Sequence, residues 1–286
     1  MKVRAVIRNR LIGIGAEKLG KEEQFKQFLQ TKGLAENTIH SYMWTVDYFL
    51  KHYKIETESL FEYKGYLLEN FKPKTVNLRL QGLNKYLSFI GKDKLRLNSI
   101  KVQQKSFLED VISHPDYLFL KRKLNNDGNL KWHFVVWFLG ATGARVSELI
   151  KLKIEHVDAG YFDVYSKGGK VRRLYIPKKL QKSAKEWLEK EGRTTGYLFL
   201  NRFGSPITSR GISQQLKHYA KLYGIEVNVV YPHSFRHLYA KNFLNKYNDI
   251  SLLADLMGHD SIETTRIYLR RTASEQREVV DEVITW

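Results

Sequence analysis

The stretch Leu256–Arg270, LMGHDSIETTRIYLR, holds a Gly-His pair, a helix-start signal and a tyrosine, Tyr268, nine residues after His259. Three other fragments carry groups that suit the same centre. Arg145 and Glu148 are spaced i, i+3, on one face of a helix. Lys167 precedes Gly168-Gly169, at a hairpin tip from which a flexible side chain reaches outward, and His233 and Arg236 repeat the i, i+3 spacing after Pro232. Taken singly, each has an ordinary reading: a surface ion pair, a solvated turn lysine, a capping histidine, a half-buried core aromatic. Taken together they suit a tyrosine that attacks a phosphodiester. A phenol has a pKa of about 10, so near pH 7 only about one in a thousand is ionised. It needs a base or a positive field to attack. Charge then builds on the non-bridging oxygens, which rigid guanidinium forks match, and a 5′ alkoxide leaves only with a positioned acid.

These groups must be held by folded elements, and the periodicity supplies them. In residues 21–100, Ile39, Tyr42, Met43, Val46 and Phe49 fall on one helix face, with Asn37 as its expected N-cap. Val76, Leu80, Leu83, Leu87 and Ile90 mark a second helix after Lys72-Pro73-Lys74, and shorter helices around Phe25 and Leu60 complete a four-helix bundle. The polar, basic stretch 91–110 interrupts the pattern, and the linker is placed at 101–110. From residue 111 the chain reads as helices at Tyr117–Leu124 and Leu130–Leu139, a break at Thr142-Gly143, and a short helix begun by Arg145. Strands at Tyr161–Tyr165 and Arg173–Ile176 meet at SKGGK, and helices follow at Lys179–Lys190, Ser209–Tyr223 and from Pro232. The expected fold is therefore mainly α: a helical bundle, then a mostly α domain with one small antiparallel sheet. Residues 1–20 read as a basic arm.

Composition narrows the partners. The chain of 286 residues carries a net charge of +18, with 18 basic and 10 acidic residues among the first 100, so both halves are basic. That distribution fits a protein enclosing a polyanion through phosphate contacts and counterion release, with Lys72, Lys74, Arg79 and Lys85 as candidate contacts. No polybasic amphipathic segment suits a membrane surface, and no apolar run is long enough to span one. There is no cysteine, which removes disulfides and thiolate metal sites and points to a reducing cytosol. No metal-ligand pattern stands near the motifs, so neither metal, ATP nor any other cofactor is expected.

Together the fragments resemble the tyrosine recombinases, the family of the phage integrases and Xer proteins, across nearly the whole chain. ATGARVSEL is similar to the family's first arginine box, HSFRHLYA to its H-x-x-R-H-x-x-A box, and LMGHDSIETTRIY to its L-x-G-H…T…Y box; LAENTIHSYMWTV resembles the first DNA-facing helix of the Xer core-binding domain. The resemblance implies a SAM-like core-binding domain at 21–100 and a catalytic domain at 111–286, forming a C-shaped clamp on duplex DNA. It implies that Arg145 and Arg236 hold the scissile phosphate, Lys167 protonates the leaving oxygen, His233 is the acid/base, His259 donates to a phosphate oxygen, Glu148 supports, and Tyr268 is the nucleophile. Ser166 departs from the glycine of many Xer proteins, and Lys170 is a second candidate for the acid.

Beyond Tyr268, Val279, Val280, Val283 and Ile284 mark a short amphipathic helix ending at Trp286. It packs on its own domain or, as the resemblance implies, on a neighbour in a tetramer joining two DNA sites. Resolution of chromosome dimers at a dif site is the role the Xer likeness implies. A phage or plasmid integrase is the near alternative, and an architectural or regulatory DNA-binding protein with a degenerate site the distant one. Helper proteins and the DNA site itself are not legible.

Overall fold

The computed structural model describes residues 20–102, 110–165, 171–269 and 273–284. The basic arm short of Gly20, residues 103–109 of the linker, the hairpin tip with Lys167 and Lys170, and Trp286 lie outside the described residues. The chain divides into two compact units, 1–104 and 105–286.

The first unit is a helical bundle: α1 (Lys21–Thr31), α2 (Glu36–His52), α3 (Thr57–Asn70) and α4 (Pro73–Phe89), followed by a 3₁₀ turn at Asp93–Leu95. Ile39, Tyr42, Val46 and Phe49 of α2 and Val76, Leu80, Leu83 and Leu87 of α4 are buried, each within a few per cent of full burial. Such burial stabilises by about 1.5–3 kcal/mol per large apolar side chain. Asn37 is not the cap of α2. The amides of Thr38 and Ile39 both bond to the Ala35 carbonyl at 2.8 and 2.9 Å, so the first turn closes two residues earlier and Asn37 is exposed inside it.

The second unit is also mostly helical: α5 (His114–Asn126), α6 (Leu130–Thr142), α7 (Val146–Leu149), α8 (Ile154–Ala159), α9 (Lys178–Lys190), α10 (Ser209–Leu222), α11 (Pro232–Lys246), α12 (Ile250–Met257), α13 (Ile262–Arg266) and α14 (Ala273–Val283). The 3₁₀ turn Ile267–Leu269 follows α13. The α6 helix is apolar all round and is the central helix of the core, packed by α5, α9 and α11. Strands β1 (Tyr161–Tyr165) and β2 (Val171–Tyr175) form one antiparallel pair, Tyr161 opposite Tyr175 and Tyr165 opposite Val171. The mainly α fold with one small sheet is as the sequence implied, but β2 begins at Val171 rather than Arg173. Its two-residue alternation turns Arg172 and Leu174 inward and Val171, Arg173 and Tyr175 out.

Two glycines make the turns that lead into the candidate site. Gly143 and Gly258 end α6 and α12 in the left-handed region, with φ of 62° and 61°. Each reverses the chain just before a candidate site residue, Arg145 or His259.

Candidate active site

Glu148 is the hub of the centre. It is the third residue of α7, and its carboxylate folds back on Arg145 at the helix start, accepting from the Arg145 amide at 2.7 Å and from its guanidinium at 3.0 Å. A second guanidinium, that of Arg172, donates to it at 2.5 Å and reaches the Leu256 carbonyl at 2.8 Å. Burial alone would push the Glu148 carboxyl up, but the Arg172 charge and the donors from both arginines outweigh it and hold the group below its ordinary value.

Arg236 is almost fully buried, at 2 % exposure. It donates to the Gly143 carbonyl and to the Met257 carbonyl, both at 2.6 Å, and to His259 Nε2 at 3.1 Å. These two carbonyls lie at the C-terminal ends of α6 and α12, where the helix dipole is negative, so the cation is balanced by helix ends and not by a carboxylate. Burial and the Arg145 charge bring its pKa down to about 10. A guanidinium has no acceptor, so His259 Nε2 must be the accepting nitrogen. The His259 proton then sits on Nδ1, 2.8 Å from the buried Thr265 hydroxyl. In this arrangement both ring nitrogens are committed within the chain. Burial and the Arg236, Arg145 and Arg172 charges hold the ring neutral, with its pKa lowered to about 4.

Tyr268 lies in the 3₁₀ turn after α13, 6 % exposed, in a small apolar cluster with Ala240, Leu244, Leu253 and Met257. Its ring stacks on His259 at 6.0 Å between centroids and tilts against His237 at 5.3 Å. Burial pushes the phenol up, while the Arg236 guanidinium, hydrogen-bonding it, and the Arg145 charge pull it back. His233 stands exposed one turn before His237 on α11; partial burial and the Arg236 and Arg145 charges lower its pKa. Arg145, Glu148, Arg236, His259 and Tyr268 thus form one connected cluster, with His233 at its edge.

Arg172 lies outside the motifs, and Thr265 lies within the L-x-G-H…T…Y box without a role assigned to it. A strand begun at Arg173 leaves out Arg172, an arginine at an inward position, and the two-residue alternation carried back to Val171 is the signal that finds it. The Arg172 stem occupies the space a side chain on Gly258 would need. A cavity of about 570 Å³ opens here, lined by Arg172, Arg173, Tyr175, Leu252, Gly258 and His259. Among the described residues no group of His, Asp or Glu is placed to hold a metal ion, and no helix is long and apolar enough to cross a membrane.

In the first unit, Lys72, Lys74 and Lys85 are exposed. Arg79 differs. It donates to the Ser41 carbonyl at 3.2 Å and the Thr45 hydroxyl at 3.1 Å, and its guanidinium lies 3.9 Å from the Trp44 ring centroid. That side chain ties α4 to α2.

Residues 111–275 match the phage integrase family. The tyrosine recombinase XerA of Pyrococcus furiosus is 30% identical over 272 residues, 91% of this chain and 92% of that protein. Tyrosine recombinase XerD of Vibrio cholerae is 28% identical, covering 90% and 94%. Among solved structures, the XerH site-specific recombinase bound to difH substrate, a pre-cleavage complex, superposes with a TM-score of 0.67 at 19% identity, over 91% of this chain and 84% of that one.

Proposed function

We propose, from the premise that this chain belongs to the phage integrase family and is a tyrosine recombinase of Xer type, that it recombines duplex DNA at a specific site through a 3′-phosphotyrosyl intermediate. The observation that carries the reading is the packing of the Tyr268 phenol against the guanidinium of Arg236 and the ring of His259, within a single chain. Arg145 and Arg236 bind the non-bridging oxygens of the scissile phosphate and spread the charge that develops there. The same two cations favour the phenolate over the phenol. Glu148 fixes the Arg145 fork through its backbone and side chain together. His259 supplies a further donor once the phosphate takes over Arg236 and the ring proton moves to Nε2, and His233 handles protons at the solvent side. Lys167, or in its place Lys170, protonates the 5′ oxygen as it leaves.

The phosphotyrosine bond conserves the energy of the broken backbone bond, and a 5′ hydroxyl from a second strand reverses the attack. Exclusion of water from the buried phenol guards that ester against hydrolysis. With arginines neutralising the phosphate, the reaction runs without divalent metal or ATP. The first unit, through Lys72, Lys74 and Lys85, and the second unit both hold the duplex. Four copies bring two sites together through α14, and the Xer relatives favour resolution of chromosome dimers at a dif-like site over integration of a mobile element.

The test uses a duplex carrying a fragment selected for tight binding from the genome, nicked beside the scissile position so that the cut end diffuses away. The wild-type chain should form a covalent adduct in excess chelator, and Tyr268→Phe should bind equally well and form none. An adduct in the Phe variant, or its loss on chelation, rejects the scheme.

A further inference from the structure

The phenolic proton of Tyr268 needs an acceptor, and the groups around it narrow the choice. Arg145 and Arg236 carry only donors. His259 accepts from Arg236 on Nε2 and faces Thr265 with Nδ1, so its ring is committed. His237 is different. Its ring lies 5.3 Å from that of Tyr268, centroid to centroid, and its Nδ1 is buried with no hydrogen-bond partner among the described residues. A buried nitrogen left unpaired is a cost that a fold rarely keeps without use. His233 sits four residues earlier on the same helix, hence on the same face, with ring centroids 6.4 Å apart, and it reaches solvent.

We propose that His237 is a proton relay: it takes the Tyr268 proton during attack and passes it to His233, which exchanges it with water. This rests on the function proposed above. The Tyr268 O–H bond breaks as His237 Nδ1 gains the proton; the phenolate oxygen bonds to phosphorus, and the bond from phosphorus to the 5′ oxygen breaks. That oxygen takes its proton from the acid named above, and religation runs the same steps backward. The separation between the two histidines is one that a single bridging water spans. In the free protein His237 is held neutral, its pKa pulled down to about 4 by burial and by His233 and Arg236 beside it on α11. It is therefore unprotonated and ready to accept when DNA arrives. The negative scissile phosphate then makes the protonated ring less unfavourable.

The experiment compares His237 with His237→Gln, each with tyrosine or 3,5-difluorotyrosine at position 268, in single-turnover adduct formation on the nicked duplex. Ring fluorination makes the phenol more acidic and so lessens its need for an acceptor. With tyrosine, His237→Gln should slow adduct formation about 100-fold; with difluorotyrosine the penalty should be much smaller. Mobility shift and thermal unfolding establish that the variants fold and bind, and His237→Asn serves as a second replacement. An equal penalty with both nucleophiles, or loss of fold in both replacements, makes His237 a packing residue and overturns the relay. Absence of any adduct from the wild-type chain defeats the proposed function instead.

Discussion

The Glu148 carboxylate is shared between two guanidiniums, one at the start of α7 and one on β2. Arg172→Leu would leave that buried carboxylate with Arg145 alone, and removing one partner of a buried pair costs about 3–5 kcal/mol. Denaturant unfolding at neutral pH should show that loss. Its pH dependence follows from the lowered Glu148 pKa. A depressed carboxyl contributes stability above its unfolded value of 4.5, and the contribution is lost as pH falls through the folded value. The penalty of Arg172→Leu should therefore be full near pH 7 and shrink below pH 4.5, as protonation removes the charge that needs a partner. An unchanged penalty under acid would place the loss in packing.

At the scale of elements, two helix ends aim the site. A side chain on Gly258 would be strained at its φ of 61° and would strike the Arg172 stem. Gly258→Ala should thus displace His259 and the Arg172 contacts together, costing about 1–2 kcal/mol for the left-handed backbone alone. Adduct formation should fall while duplex binding through the first unit persists; normal cleavage kinetics would show that the turn is not what aims the ring. Much of this scaffold was legible: Pro232 opens α11, Ser261 caps α13, and the Thr142-Gly143 break ends α6, because local chemistry decides each. Arg172 and Thr265 were not, because their roles depend on β2, α12 and α13 meeting in space. Arg79 reads as a basic surface residue by its neighbours in sequence. It is turned inward because Trp44, Ser41 and Thr45 lie on the facing helix.

For the whole molecule, α14 stands out because none of its described side chains is buried. Val280, Val283 and Ile284 are 54%, 57% and 46% exposed, an apolar stripe beside acidic residues. Chains lacking residues 275–286 should bind a single duplex nearly as well as the full chain but sediment on two-site DNA as smaller complexes. Unchanged assembly would return α14 to a role within one chain.

Arg145, Arg172 and Arg236 share the centre with a single carboxylate, that of Glu148, which accepts from the first two, and this has an electrical consequence. Three fixed positive charges stand with one carboxylate in the cluster, so like charges repel there. A diester anion and a tyrosinate would together bring it to neutrality, and those two charges coexist only at the moment of attack. The resting protein is then less stable than its packing alone allows, and oxyanions should relieve it. Sodium sulfate at fixed ionic strength should raise the unfolding temperature of the wild-type chain more than that of Arg145→Gln. Equal shifts in the two would mean that the repulsion is already screened.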